Sequence, residues 1–285
     1  MTVSRYGKPS VQGTGVIKKG RDNETIINQS FGSKRCVFVA MSSQKGGVGK
    51  STMTVLLAGY FHYVMGYNVA VVDCDYPQFS IKALRSRDTQ NVEKNMNLQR
   101  MLCGQFERTG KKAYPVLTSV PGKELDTALP LTGGCDIIFF DLPGTVNSPG
   151  VIKTIVNMDY VFTPIIQDRM VMQSSLSFLL ALKDFMLQNP DMPLKEIRMF
   201  WNRMDGRVSK RLSHQYGLLF KELGLKVLDT VIPDMERYGR ETSPEERNLF
   251  RSTLFPPSGK LLKGSALDTL AGEIEGIIHP DRPKA

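Results

Sequence analysis

Short apolar runs without polar alternation recur along the chain, and stretches with apolar residues at helical spacing fall between them. Residues 36–40, Cys-Val-Phe-Val-Ala, form the first run and lead into a loop with two adjacent glycines. From 52 to 64 apolar side chains return at helical spacing, and Gly66 follows as a residue suited to close a helix. Runs at 69–72, 137–140, 160–164, 197–201 and 227–232 read as further strands. Helices are predicted at 174–187 and at 209–223, the latter closed by Gly224. Strands alternating with helices need crossover connections, which predicts an α/β fold: a doubly wound, mostly parallel sheet with helices on both faces. Uniformly apolar strands fit a sheet covered on both sides. Residues 1–34, rich in Gly, Ser, Lys, Asn and Thr, read as a flexible basic arm ahead of a single domain over 35–285.

The loop after the first strand carries the strongest chemical signal. Gln44-Lys45-Gly46-Gly47-Val48-Gly49-Lys50-Ser51-Thr52 lies directly between the first strand and the first helix. A phosphate-binding loop reads GxxxxGK[ST]; Gly49-Lys50-Ser51 fits its second half, whereas Gln44 holds the position of the first glycine. Gly46, Gly47 and Gly49, with Val48 between them, let backbone N–H groups converge on phosphate oxygens without Cβ clashes. The helix that follows adds its positive end. Lys50 would bridge the β- and γ-phosphates, and the Ser51 hydroxyl would ligate Mg²⁺. Lys45 opens the loop, where the phosphates already have Lys50. Its side chain reads either as solvated or as directed toward nucleotide held by a second copy of the chain.

The run KGGVGKST, with Val71-Val72-Asp73-Cys74-Asp75-Tyr76-Pro77-Gln78 after it, resembles the ParA/MinD family of deviant Walker A ATPases. The segment Arg251-Ser-Thr-Leu-Phe-Pro-Pro is similar to that of the ParA-like TraA proteins of conjugative transposons. This resemblance covers approximately residues 35–278. It implies ATP and Mg²⁺ as cofactors, slow partner-stimulated hydrolysis, and an ATP-dependent homodimer in which Lys45 reaches across the interface. Asp73, Asp75 and Asp141 end strands at the carboxyl edge, where ligand chemistry collects in a parallel sheet. Asp141, after an apolar strand, fits the Walker B pattern and would hold Mg²⁺ through water. Asp75 matches the family position that orients the attacking water, and Asp73 fits a supporting role around the metal. Gly144 would offer a backbone N–H to the γ-phosphate. Asn202 matches a family asparagine facing adenine, and Pro233 resembles the loop that packs on the base.

Charge then bears on partners. The formal net charge is +9, and six basic against two acidic side chains put +4 of it on residues 1–34. Residues 81–112 hold eight basic and three acidic side chains, and 206–263 hold eleven and seven. Such runs read as solvated helix faces or as a groove for DNA phosphates formed when two subunits meet; the resemblance favours nonspecific double-stranded DNA. It also implies positioning or segregation of DNA, in partition or in conjugative transfer of a mobile element, with a ParB-like or other stimulating protein. The alternative is a MinD-like regulator at a protein or membrane surface. The segment 267–278, carrying Asp268, Glu273 and Glu275, suits packing on the core better than a basic membrane helix. No apolar run approaches the roughly 18 residues of a membrane span, and no apolar signal core is seen, so a cytoplasmic location is expected. Scattered cysteines and histidines argue against disulfides, zinc and histidine catalysis; the absence of a cysteine beyond Cys135 argues against an iron–sulfur reductase.

Overall fold

β1 (Val37–Met41), β2 (Val69–Asp73) and β4 (Ile137–Asp141) have no exposed residue, because the uniformly apolar runs are covered from both sides. The computed structural model describes residues 35–144, 149–206, 210–243 and 249–281; the basic arm expected at 1–34 lies outside these. Between β1 and β2 runs α1 (Lys50–Gly59), continued by a π turn at Tyr60–Val64 and ended by Gly66 at φ 81°. α2 (Ser80–Lys94) and α3 (Met96–Thr109) lead to β3 (Val116–Thr118), and α4 (Glu124–Ala128) leads to β4. The chain continues through α5 (Pro149–Val156), β5 (Tyr160–Ile165), α6 (Arg169–Gln188), β6 (Glu196–Met204), α7 (Lys210–Glu222) and β7 (Lys226–Pro233). α8 (Gly259–Leu262) and α9 (Leu267–Ile278) complete the described elements.

All seven strands pair in parallel, in the order β3-β2-β4-β1-β5-β6-β7. Alternate residues of the central strands feed two separate cores. Val39, Val71 and Phe139 pack with α1 and α9 on one face, whereas Phe38, Val72 and Phe140 pack with α5 and α6 on the other. This is the doubly wound sheet the apolar pattern predicts. β1 sits where the connections reverse direction, so its carboxyl end opens onto the crevice where such sheets bind ligands.

The structure adds to and corrects the sequence expectation; α4 and α5, for example, are elements that expectation did not include. α2, α3 and β3 are not evident in the apolar pattern, because α2 buries only Ile81, Leu84, Asp88 and Val92 of its fifteen residues. α6 is long and apolar enough, by length and composition, to cross a membrane, which corrects the expectation that no stretch qualifies. In the fold it packs through Met172, Phe178, Leu179 and Leu182 onto the sheet.

α9 behaves as its sequence predicts. Leu267, Leu270, Ala271, Ile274 and Ile278 are buried against the core, each large side chain contributing about 1.5–3 kcal/mol relative to exposure. Its Glu273 carboxylate accepts the β7 N–H groups of Asp229 and Thr230 at 2.8 and 3.0 Å. An edge strand that would otherwise present bare donors is thereby covered. His62, expected to be packing, is buried; its Nδ1 accepts from the Val69 N–H, so Nε2 donates to the Lys112 carbonyl at 2.8 Å.

The segment 251–255 is fastened to α2 by one buried carboxylate. Asp88, fully buried, accepts from Thr242 Oγ1 (2.6 Å), Thr253 N (2.7 Å), Thr253 Oγ1 (2.8 Å) and Ser252 Oγ (3.1 Å). Leu254 and Phe255 pack below it against Val92 and Leu98. Removing the carboxylate strands several donors away from water. Asp88→Ala is therefore expected to lower the free energy of unfolding by roughly 3 kcal/mol. Urea denaturation checks this, and a midpoint equal to that of the wild type contradicts it.

Candidate nucleotide-binding site

The loop between β1 and α1 is shaped by its glycines. Gly47 and Gly49 have φ of 77° and 92°, a region L side chains rarely occupy. A Cβ on Gly49 would lie 2.5 Å from Asn202 Nδ2, so the position also lacks room for a side chain. Three loop carbonyls are held by side chains. Lys50 Nζ donates to Lys45 O (3.2 Å), Arg203 Nη1 to Gly47 O (3.1 Å) and Asn202 Nδ2 to Val48 O (2.8 Å). Asn202 is buried, so the Val48 carbonyl is drawn toward the body and the N–H group of the same trans peptide turns the opposite way.

Lys50 is buried, and that burial pushes its ammonium below the ordinary lysine range while Asp141 and Asp75 pull it back up. Asp141 is fully buried at the end of β4, in register with Asp73 on β2 and Met41 on β1. Its Oδ1 lies 3.2 Å from Thr54 Oγ1, and its Oδ2 has no hydrogen-bond partner. Burial raises the Asp141 pKa to about 7; the Ser51 hydroxyl opposes this, Asp73 adds to it, and Lys50 and Thr54 oppose it. A buried carboxylate oxygen without a donor, beside a serine hydroxyl, is a hard-oxygen pair suited to Mg²⁺.

Asp73 and Asp75 lie together yet differ in what holds them. Asp73 Oδ2 accepts from the N–H groups of Ile81 and Lys82, both at 2.9 Å, and Oδ1 from that of Asp75 at 3.4 Å. It thus caps the first turn of α2, a helix whose own preceding residue supplies no side-chain cap. Burial raises its pKa, and these N–H groups hold it down. Asp75 is half-buried and lines the cleft.

That cleft, of about 1300 Å³, is bounded by the loop, by Asp75 and Tyr76, by Gly144, and by residues of the turn 234–239. Its volume exceeds the roughly 300–1,000 Å³ of common small-molecule sites. Gly144 stands against the loop: a Cβ there would lie 3.3 Å from Gly46 N and 3.4 Å from Lys50 Nζ. Lys45 is exposed at the rim. Ser51 and Thr52, half-buried, begin α1 at the cleft floor. Asn202 lines the cleft but is buried beneath Val48 with its Nδ2 committed there, a supporting position under the loop. Pro233 ends β7, and the cleft wall nearby is formed by Asp234, Met235 and Tyr238.

Two arginines to which the sequence reading gave no role in the site line the cleft: Arg203, and Arg251 at the head of the segment 251–257. Arg203 sits in a left-handed conformation at φ 53° and touches both Gly47 O and Asp234. It follows Asn202 at a strand's carboxyl end, so the strand-end rule would have found it. Arg251 donates to Thr52 Oγ1 at 2.8 Å. It lies in a long connection where periodicity carries no signal. A smaller cavity of about 190 Å³ lies at the amino ends of β6 and β7, where Lys183 donates to Leu223 O and Lys226 pairs with Glu196.

A parallel sheet whose central strand opens through a glycine loop onto a helix bearing a buried lysine defines a P-loop nucleotide-binding protein. The family model of the CobQ/CobB/MinD/ParA nucleotide binding domain matches residues 39–247, and the chain belongs to this family. Among solved structures it is similar to the MinD cell division protein of Aquifex aeolicus, at 16% identity and TM-score 0.54 over 87% of this chain and 99% of that one. MinD in the MinC:MinD complex of Aquifex aeolicus gives 14% and 0.53 over 87% and 98%. A ParA family ATPase from Chlorobium tepidum TLS gives 15% and 0.50 over 84% and 93%. A comparison with curated protein sequences found no significant match.

The contact between Gly49 and Asn202 makes a specific prediction. Gly49→Ala is expected to destabilise the chain by roughly 2 kcal/mol, from the left-handed backbone and the clash together. In the background of Asn202→Ala the cost of Gly49→Ala should fall, since the clash is gone. Denaturant unfolding of the four chains measures this; strictly additive effects contradict it.

Proposed function

We propose that the chain is a Mg·ATP-dependent dimerising ATPase that positions or segregates DNA, in partition or in conjugative transfer of a mobile element. The observation that carries this reading is the division of labour between two lysines. Lys50 is buried inside the cleft, whereas Lys45, five residues earlier, is exposed at its rim. A lysine so placed is available to a phosphate held by a second copy.

In this reading the loop N–H groups and Lys50 bind the triphosphate, with Ser51 and Asp141 holding Mg²⁺. The metal, when bound, neutralises phosphate charge. Among the described residues no group of three or more His, Cys, Asp or Glu forms a metal cluster. Mg²⁺ is commonly held by one or two protein oxygens together with phosphates and water, so Asp141 and Ser51 fit it. Asp73, committed to the first turn of α2, steadies the end of β2. Asp75 orients a water whose oxygen attacks the γ-phosphorus; the bond to the ADP oxygen breaks, and the water's proton leaves with phosphate. A cationic group supplied by a partner can raise such rates by ~10³–10⁵, so basal turnover is slow.

DNA binding draws support from the surface of α2 and α3. Lys82, Lys94, Arg100, Arg108 and Lys112 are exposed, whereas Arg85 is turned inward onto Tyr114 and Thr253. A membrane-bound role has less support, since α9 spends its apolar face on the core. We place the protein in the cytoplasm, on nucleoid DNA, with a ParB-like or other protein as stimulating partner.

Lys45→Ala is expected to bind ATP with near-native affinity and yet stay monomeric, whereas Lys50→Ala loses ATP binding. Calorimetry and light scattering separate the two, and a Lys45→Ala chain that dimerises normally overturns the shared-lysine reading. Binding to duplex DNA should require ATP and fall steeply with salt, by about tenfold or more between 50 and 200 mM. Salt-insensitive or ATP-independent binding in a filter or anisotropy assay contradicts it.

A further inference from the structure

Arg251, on the wall of the cleft, shares its carboxylate partner with a second arginine. Glu241 pairs with Arg251 Nη2 and also with Arg87 Nη2, the latter at 2.9 Å. Two guanidinium groups thus share one carboxylate. Arg251 is about three-quarters buried, with 26% of its side chain exposed, so its charge is poorly served by solvent. Its Nη1 rests on a neutral acceptor, Thr52 Oγ1, and its Nε is buried without a hydrogen-bond partner. Such a group favours an anion.

The guanidinium is also aimed. Ser252 and Thr253, next along the chain, are fixed on Asp88 through three hydrogen bonds of 2.7–3.1 Å. Arg251 N in turn donates to Arg240 O at 2.8 Å. The side chain therefore leaves a rigid base and ends on the second residue beyond Lys50, at the start of α1. In a phosphate loop the lysine serves the β- and γ-phosphates, and the backbone around it cradles the α- and β-phosphates. With the lysine serving the terminal phosphates, a residue two positions further into the helix is expected on the α-phosphate side.

We propose that Arg251 is a nucleotide-binding residue that contacts the α-phosphate, exchanging the Thr52 hydroxyl for a charged oxygen. This rests on the reading of the cleft as a nucleotide site and adds to it the phosphate that this side chain serves. A contact to the α-phosphate is made equally with ATP and ADP. A contact to the γ-phosphate would be made with ATP alone.

Calorimetric titration of the full chain with ATP and with ADP distinguishes these. Arg251→Gln removes the charge and, being shorter, also gives up the Thr52 contact; it is expected to weaken both nucleotides by the same factor, roughly 10- to 100-fold. Arg251→Lys, keeping the charge without the fork, should fall between Arg251→Gln and wild type. Thermal unfolding without nucleotide is read alongside, because a purely structural staple would shift that midpoint and leave the affinities of the folded chain alone. Should Arg251→Gln not fold, the Lys variant supplies the same comparison. Affinities within twofold of wild type in a folded variant overturn the proposal, as does a loss confined to ATP. If the wild-type chain binds neither nucleotide, the nucleotide reading itself falls. If wild type binds both, Lys50→Ala binds neither and Arg251→Gln matches wild type, only the role of Arg251 falls.

Discussion

The orientation of the peptide groups between β1 and α1 is the constraint on which the site depends. Peptide N–H groups bind an anion only if they point together, and their carbonyls must then be satisfied elsewhere. Here Lys50, Arg203 and Asn202 satisfy the carbonyls of Lys45, Gly47 and Val48. Two of these donors come from the end of β6, two strands away from β1 in the sheet. The loop is therefore set by tertiary structure as much as by its own glycines. Gly49 shows how closely: its missing side chain is the space that Asn202 fills.

Buried charge is distributed around this loop unevenly. Asp73 has three backbone N–H groups to compensate its burial, whereas Asp141 is served by side chains: the hydroxyls of Ser51 and Thr54 stand by, and its Oδ2 is left without a hydrogen-bond partner. The same physical cause, desolvation, raises both pKa values, yet only Asp141 ends with an incompletely satisfied carboxylate. That difference separates a carboxylate that builds the fold from one suited to a cation. It also assigns Asp73 a job that its spacing from Asp75 did not reveal.

Most of the sheet was legible because a strand buried on both faces is uniformly apolar, as in Ile137-Ile138-Phe139-Phe140. The loop was legible because its glycines and lysines are consecutive. β3 was not, having three residues at a sheet edge, of which only Val116 is buried. Nor were α2 and α3, whose inward faces include polar residues: Asp88 and Gln105 are buried there on hydrogen bonds to a segment about 150 residues later. No local pattern announces such a partner. Asn202 was noticed for its position, but whether a buried amide faces a ligand or a loop carbonyl depends on packing that one sequence does not display.

These long-range contacts form a closed circuit. Asp73 at the end of β2 caps α2; Asp88 on α2 holds Thr253; Arg251, two residues before, returns to Thr52 at the start of α1. Elements tied by buried hydrogen bonds resist separate movement, because opening any link exposes unsatisfied groups. The ties at the rim of the cleft lie closer to solvent: Lys45, Gly46 and Gly47 are exposed, and the bond from Arg203 to the Gly47 carbonyl is exposed as well; Tyr76 and Gln78, which also line the cleft, are exposed too. Under the proposed function, a response to nucleotide is then confined to rim segments, which are also the surfaces a second copy would meet. A rigid cradle with a yielding edge is the arrangement a nucleotide-gated dimer requires, since binding energy is spent at the interface and not on reshaping the core.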